Sequence, residues 1–258
     1  MQQGFDNRIV SYEHIHSISP EDFEKLIDAI DPQEGEIILD AMCGYGAVGK
    51  AVLERNPKVN VFFNDESEVQ IQRAIKNLPD VDRSRFIVSA LPHDNFQPNC
   101  FDKIVVKMGL HEVSLSQHLE ILKEFHRILK PNGKVIVWDI MLNDASQKLF
   151  QDIIRKKDEL AGFNLLTRER YFFREDEFLK NAVDAGFESS KDFHKIKYNF
   201  SSKKRLESEL DNDTEKLREL NEYIRGRFPE ELRGRLEYQD LGDDVRFTII
   251  KKIFILQK

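Results

Sequence analysis

The chain has 258 residues, 40% of them hydrophobic and 33% charged, a globular composition long enough to bury about 70% or more of its unfolded surface, which excludes disorder and fibre. Thirty-nine Lys and Arg against 46 Asp and Glu leave a formal charge of -7, and no run of five or six like charges offsets it, so a protein built mainly to grip a phosphate backbone is disfavoured. Cys43 and Cys100 are the two cysteines; they make no disulfide framework or metal-ligand cluster, and no apolar stretch is long enough to span a bilayer, so a cytoplasmic protein without membrane attachment is expected.

Ser19-Pro20-Glu21-Asp22 combines a capping Ser, a Pro at the first helical position and an acid three residues after the cap, and Phe23, Leu26, Ile27 and Ile30 follow at helical spacing. A short amphipathic helix is predicted there. Glu36 to Asp40 is a compact apolar run ending in an acid and a Gly-rich turn, Ala47 to Glu54 reads as helix and Val59 to Phe63 as a second strand, which together make a βαβ unit. Ser67 to Asn77 continues as helix, Phe86 to Val88 as a short strand, and Phe101 to Met108 as a strand apolar on both faces, as parallel-sheet strands are. Leu119, Leu122, Phe125, Ile128 and Leu129 mark the next helix, which Lys130-Pro131-Asn132-Gly133 ends by turn chemistry before a fifth strand at Val135 to Trp138. Helices are further predicted from Asn143 to Gly162 and from Glu175 to Ala185, and a β-branched strand from Val245 to Leu256.

The alternation predicts an α/β fold: a doubly wound, mostly parallel seven-stranded sheet with an N-terminal helix and a helical insertion before the last, antiparallel strand. Residues 1–34 are expected to form a helical lid segment, 35–197 with 245–258 the main domain, and 198–244 the insertion, a substrate lid. Leu206, Leu210, Leu217, Leu220, Ile224 and Phe228 support one or two amphipathic helices in that insertion, which is too short to bury a core of its own.

The chemistry concentrates in Asp40-Ala41-Met42-Cys43-Gly44-Tyr45-Gly46, followed nineteen residues after Gly46 by Asp65. Glycines at a strand-to-helix turn let backbone N–H groups approach a ligand, and an acid ending the next strand is placed to accept two hydrogen bonds from ribose hydroxyls, so an adenosine-containing ligand is implied. Gly44, Gly46 and Gly49 also satisfy G-x-G-x-x-G, which keeps a nicotinamide dinucleotide open. Against it, the strand ends in Asp40, and an acid there repels pyrophosphate while complementing a cation or an ammonium group.

At this loop the sequence resembles the class I S-adenosylmethionine-dependent methyltransferases, whose first motif reads approximately D-x-G-C-G-x-G and whose second-strand acid holds the ribose. Phe101-Asp102, Leu110-His111-Glu112 and Ile128-Leu129-Lys130-Pro131-Asn132-Gly133-Lys134 look like the same family, and residues 35 to 142 are covered well. Asp176 to Leu179 and Ala185-Gly186-Phe187 resemble its last helix. The resemblance implies S-adenosylmethionine as cofactor and S-adenosylhomocysteine as product. It implies that Asp40, Gly44 and Gly46 face the methionine part and Asp65 the ribose, with Glu66 and Leu91 close to the adenosine, and it makes Met42 and Cys43 of the same loop cofactor-binding candidates. Two departures stand out: Met42 replaces the first glycine of the motif, and Ser89-Ala90 occupy the place of an acid that touches the adenine amino group in many members.

His111 and Glu112 follow the fourth strand on the carboxyl edge of the sheet, where open α/β folds bind ligands. His111 is the candidate general base, or the group that orients the acceptor's nucleophile; the alternative is packing alone. Asp139 is expected either to line the acceptor site or to cap a turn, and Tyr12, His14 and His16 either to join a lid or to lie on the surface. The expected activity is transfer of a methyl group to an oxygen, nitrogen or carbon of a small-molecule acceptor. Nucleic acid is disfavoured as acceptor because Lys107-Met108-Gly109-Leu110 stands where base-methylating relatives carry Asn/Asp-Pro-Pro-Tyr/Phe. A cofactor-binding protein without transfer activity and a nicotinamide oxidoreductase are the further alternatives.

Overall fold

The computed structural model describes residues 19–93 and 95–258; Tyr12, His14 and His16 lie outside them, as does most of the expected 1–34 lid. The helices are α1 (Pro20–Ile30), α2 (Ala47–Arg55), α3 (Glu68–Asn77), α4 (Leu115–Ile128), α5 (Asp144–Leu160), α6 (Asn164–Glu169), α7 (Glu175–Asp184), α8 (Lys204–Ser208), α9 (Thr214–Arg227) and α10 (Glu230–Arg233). The strands are β1 (Ile37–Ala41), β2 (Asn60–Asp65), β3 (Phe86–Val88), β4 (Phe101–Lys107), β5 (Leu129–Leu142), β6 (Phe173–Arg174), β7 (Ser189–Ser201), β8 (Gln239–Asp240) and β9 (Val245–Gln257).

Seven strands follow the order β3-β2-β1-β4-β5-β9-β7, with β6 beside β5 and β8 beside β9. β1 pairs parallel with β2 and with β4, β2 with β3 and β4 with β5, whereas β8 and β9 are antiparallel. The apolar character of β4 on both faces is explained by full burial of Ile104, Val105 and Val106. Because the sheet order reverses between β1 and β4, the chain leaves those two strands in opposite directions and opens a crevice at their carboxyl ends.

Two compact units divide the chain: one comprises Ser19–Asp139, Asp176–Lys195 and Lys252–Lys258, and the other includes Ile140–Glu175 and Ile196–Lys251. In the first, α1 starts where the sequence places it, with the Ser19 hydroxyl accepting the Asp22 N–H at 3.0 Å. In the second, Asn143 caps α5 by accepting the Ser146 N–H at 3.2 Å. Phe150, Phe200, Phe228 and Phe247 pack ring against ring there, the Phe200 and Phe247 centroids 4.6 Å apart and stacked.

Two details differ from the sequence expectation. The turn predicted at 130–133 lies inside β5, where the pairing jumps from Phe101↔Leu129 to Lys103↔Lys134. The extra residues are accommodated as a bulge with Asn132 at φ 64°. The expected list of strands also omits β7. Its signal was the alternation of Ile196, Tyr198 and Phe200, obscured because the start of the strand is exposed and charged. β7 therefore reaches Ser201, and the helices α8, α9 and α10 follow it.

Candidate active site

β1 ends in the turn that carries the glycine-rich motif. Asp40 is almost wholly buried, and one of its carboxylate oxygens accepts the Gly49 N–H at 2.8 Å, tying the end of β1 to the first turns of α2. Gly49 is needed for that approach, since a Cβ there would lie 2.2 Å from the Phe63 ring. Burial pushes the Asp40 carboxyl up to about 7, the neighbouring Asp65 adds to that, and the Gly49 N–H and the Lys107 ammonium work against it.

Asp65 ends β2 and joins the loop to the following helix. One of its oxygens accepts the Gly44 N–H at 2.8 Å and the other the Ser67 N–H at 2.9 Å, while the Ser67 hydroxyl caps α3 by accepting from Gln70. The two backbone donors fix the orientation of the Asp65 carboxylate. A Cβ built on Gly44 would meet nothing within 4 Å among the described residues, so these leave space open at the residue that Asp65 grips. A carboxylate held at a strand end beside a glycine turn with room over it fits the ribose of an adenosine cofactor.

The remaining cofactor candidates are arranged around this loop. The Cys43 N–H donates to the Asn64 carbonyl at 2.9 Å, and the Gly46 N–H to the Cys43 carbonyl at 3.0 Å. Burial first, then the charges of Asp40 and Asp65, push the Cys43 thiol well above its ordinary range, which disfavours the thiolate. Glu66 is exposed and Leu91 buried, the former directly after β2 and the latter three residues after β3. Met42 stands at φ 52°, in the left-handed region that explains the glycine of the usual motif. Its side chain is accommodated by Gly109, where a Cβ would come within 2.7 Å of the Met42 sulfur. The loss of a glycine in one loop is thus matched by a glycine in the other.

Past the end of β4, a short 3-10 turn, Leu110–Glu112, carries His111. Asp139 of β5 grips it twice: Nδ1 lies 2.6 Å from one carboxylate oxygen and the backbone N–H donates to the other at 3.3 Å. Nε2 lies 3.2 Å from Glu112. Burial works to lower the imidazole's pKa, but the two carboxylates outweigh it and raise it to about 9. The two carboxylates favour the protonated ring, with Nδ1 toward Asp139 and Nε2 toward Glu112, an arrangement suited to donating hydrogen bonds. His118 behaves in the opposite way. Burial holds it down to about 4, and its neutral ring reaches the Leu110 carbonyl through Nε2 at 2.9 Å, fixing the turn that presents His111.

The structure brings Asp40, Gly44, Gly46 and Asp65 together at the carboxyl ends of β1 and β2, and His111, Glu112 and Asp139 at those of β4 and β5. Lys107, the last residue of β4, was missed by sequence reasoning. Its signal was a basic side chain closing the otherwise apolar run Ile104-Val105-Val106. Among the described residues no group of three His, Cys, Asp or Glu side chains is arranged to hold a metal ion, and no helix is long and apolar enough to cross a membrane.

The sheet order, the glycine turn and the acid that ends β2 make a Rossmann-like fold of the kind class I methyltransferases share. Residues 38–133 match the methyltransferase domain family, so the chain carries such a domain and is an S-adenosylmethionine-dependent methyltransferase. It is 29% identical over 186 residues to the ubiquinone/menaquinone biosynthesis C-methyltransferase UbiE of Roseobacter denitrificans, covering 65% of this chain and 72% of that protein. It is 28% identical over 118 residues to the ribosomal RNA large subunit methyltransferase G of Aeromonas salmonicida, covering 43% of this chain but 31% of that protein. In fold it is similar to the YcgJ protein of Bacillus subtilis, with a TM-score of 0.77, 14% identity and coverage of 92% of this chain and 97% of that one. A second similar structure is the geranyl diphosphate C-methyltransferase of Streptomyces coelicolor, with a TM-score of 0.59, 15% identity and coverage of 94% and 78%.

Proposed function

We propose that the protein transfers the methyl group of S-adenosylmethionine to a small-molecule acceptor. The observation that carries the cofactor half of this reading is Asp65, a carboxylate oriented by the Gly44 and Ser67 N–H groups at the edge of open space. In that reading Asp65 receives the ribose hydroxyls, Glu66 and Leu91 flank the adenosine, and Asp40, Met42, Cys43, Gly44 and Gly46 surround the methionine part. The cofactor supplies an electrophilic methyl group on a sulfonium. What the chain must do is hold donor and acceptor in line, which by itself accounts for much of the acceleration in such displacements.

Support for a small acceptor comes from two sides. The match to the quinone-modifying relative runs over 72% of that protein, whereas the match to the ribosomal RNA enzyme is confined to 31% of its length. The net charge of -7 also opposes binding to a polyanion. His111 is assigned to orienting the acceptor: its imidazolium, held by Asp139, donates a hydrogen bond once Glu112 yields Nε2. The residues 198–244 are assigned to acceptor selection. Because Arg205 and Glu209 of that segment are buried in ion pairs, this role is tested by point substitutions and not by excision.

The test is calorimetric titration of S-adenosylhomocysteine into wild type and Asp65→Ala, followed by transfer of labelled methyl to hydroxylated quinones, phenols and ribosomal RNA. Two charge-assisted hydrogen bonds are worth about 1.5 to 3 kcal/mol, so Asp65→Ala should bind roughly 10- to 100-fold more weakly while keeping its thermal transition. Equal affinity in the two proteins refutes the ribose assignment. Label appearing on RNA and on no small molecule refutes the acceptor class.

A further inference from the structure

The turn that presents His111 begins at Gly109, whose backbone does not call for a glycine: it holds a right-handed conformation, φ −110° and ψ −37°, that residues with side chains also adopt. What calls for glycine there is space. A Cβ at that position would lie 2.7 Å from Sδ, 2.8 Å from Cβ and 3.3 Å from Cγ of Met42. Because the Met42 Cβ is among those atoms, no change of rotamer clears the clash, and one of the two backbones would have to move. Met42 for its part holds a left-handed φ of 52°, which a glycine adopts without strain and a methionine does not. Strain of this kind persists only where the surroundings over-determine it, and it clusters at functional sites. Neither residue is explained by its own loop; each is explained by the other.

The contact joins two sets of hydrogen bonds. On one side the Cys43 N–H donates to the Asn64 carbonyl and the Gly44 N–H to Asp65, so the residues directly after Met42 are fixed to the end of β2. On the other, the Gly109 carbonyl accepts the Glu112 N–H at 3.0 Å, closing the turn around His111, and the Met108 N–H donates to the Trp138 carbonyl at 2.7 Å. We propose that Met42, wedged against Gly109, is a positioning residue that couples occupation of the cofactor loop to the setting of the turn that carries His111. A glycine at position 42 would let the two loops move independently, whereas the methionine makes a displacement of one a displacement of the other. This rests on the reading given above, with the cofactor on the loop after β1 and His111 orienting the acceptor. Such coupling is reciprocal: the loaded loop sets His111 for the acceptor, and an acceptor held by His111 tightens the grip on the cofactor.

The experiment uses full-length wild type, Met42→Gly, Gly109→Ala and the double variant, with S-adenosylhomocysteine as the probe. Two quantities are read: affinity by calorimetry, and the ring resonance of His111 by NMR, assigned by its absence from His111→Asn. In wild type, saturating S-adenosylhomocysteine should shift that resonance, and in equally saturated Met42→Gly about half of the shift or more should be lost. Gly109→Ala should weaken binding roughly 10-fold or more, and adding Met42→Gly to it should bring the affinity to within about two-fold of Met42→Gly alone. If Gly109→Ala does not fold, the double variant should, because Met42→Gly removes the opposing side chain. The inference is overturned by the absence of a shift in wild type, by a shift of wild-type size in Met42→Gly, by an unaffected Gly109→Ala, or by a Gly109→Ala defect that persists undiminished in the double variant. Failure of the cofactor reading looks different: there Asp65→Ala binds S-adenosylhomocysteine as tightly as wild type does.

Discussion

In the unit containing Ile140–Glu175 and Ile196–Lys251, Lys157 of α5 is buried, yet its ammonium donates to Glu209 at 2.6 Å and lies 2.6 Å from Asp158. Asp158 in turn accepts from Arg170 at 2.9 Å, and Glu209 meets Arg205 at 3.3 Å. In the unit containing Ser19–Asp139, Asp40 is buried and Lys107 half-buried, and among the described residues no such chain of ion pairs joins them. Acids and bases are closed on one another in the first case and left unpaired in the second. Closed networks serve the fold, because every member is compensated by a neighbour. Charges left open at the carboxyl ends of parallel strands are the mark of a site awaiting a ligand.

The sharpest way to break this comparison is to remove one member from each set. Lys157→Met should cost about 3 to 5 kcal/mol, because it leaves Glu209 and Asp158 buried with one cation fewer. The loss is read as a fall in the urea midpoint at constant m-value. A cost under about 1 kcal/mol would mean that the closed network is not structural.

A second, smaller effect lies in the pH dependence of the protein without cofactor. The folded pKa of His111 is raised from 6.5 to about 9. Its ion pairs therefore contribute stability that is fully present below about pH 6.5 and lost as pH rises through about 9. The folded pKa of Asp40 is raised from 3.8 to about 7, so the native state again binds more protons than the unfolded one, and stability declines between those values. Urea midpoints should fall from pH 5 to 9, and His111→Asn should flatten the upper half of that slope. The same value bears on catalysis: if His111 removed a proton from the acceptor, kcat would climb to a limb near pH 9, whereas an orienting imidazolium loses activity there.

The smallest effect is expected where charges are neither closed nor buried. Arg218 on α9 reaches Glu215 at 2.8 Å and Glu222 at 2.7 Å, all three side chains more than half exposed. Arg218→Ala should change stability by under about 1 kcal/mol, measured in the same urea series. A larger loss would show that counting ion pairs without regard to burial predicts stability here, and would undo the distinction between the two units.

Much of this protein is determined by local sequence. Ser19, Ser67 and Asn143 cap helices because a short polar side chain satisfies backbone N–H groups that a helix start leaves unpaired. The apolar runs of β1, β2 and β4 and the acid after β2 are legible because buried parallel strands and their ligand-facing ends have distinct compositions. The cofactor class follows from those few residues. Other features came only with tertiary structure, and for one physical reason: they depend on contacts between residues far apart in the chain. Asp139, 28 residues away, holds the His111 ring and raises its pKa, and no reading of Leu110-His111-Glu112 alone supplies that contact. Met42 is tolerated at φ 52° with its side chain against Gly109, a fit between two loops that neither loop announces. Lys107 reads in sequence as an ordinary strand-end lysine. Its place beside the Trp138 ring, with the charges of Asp40 and Asp139 nearby, comes only from strand pairing.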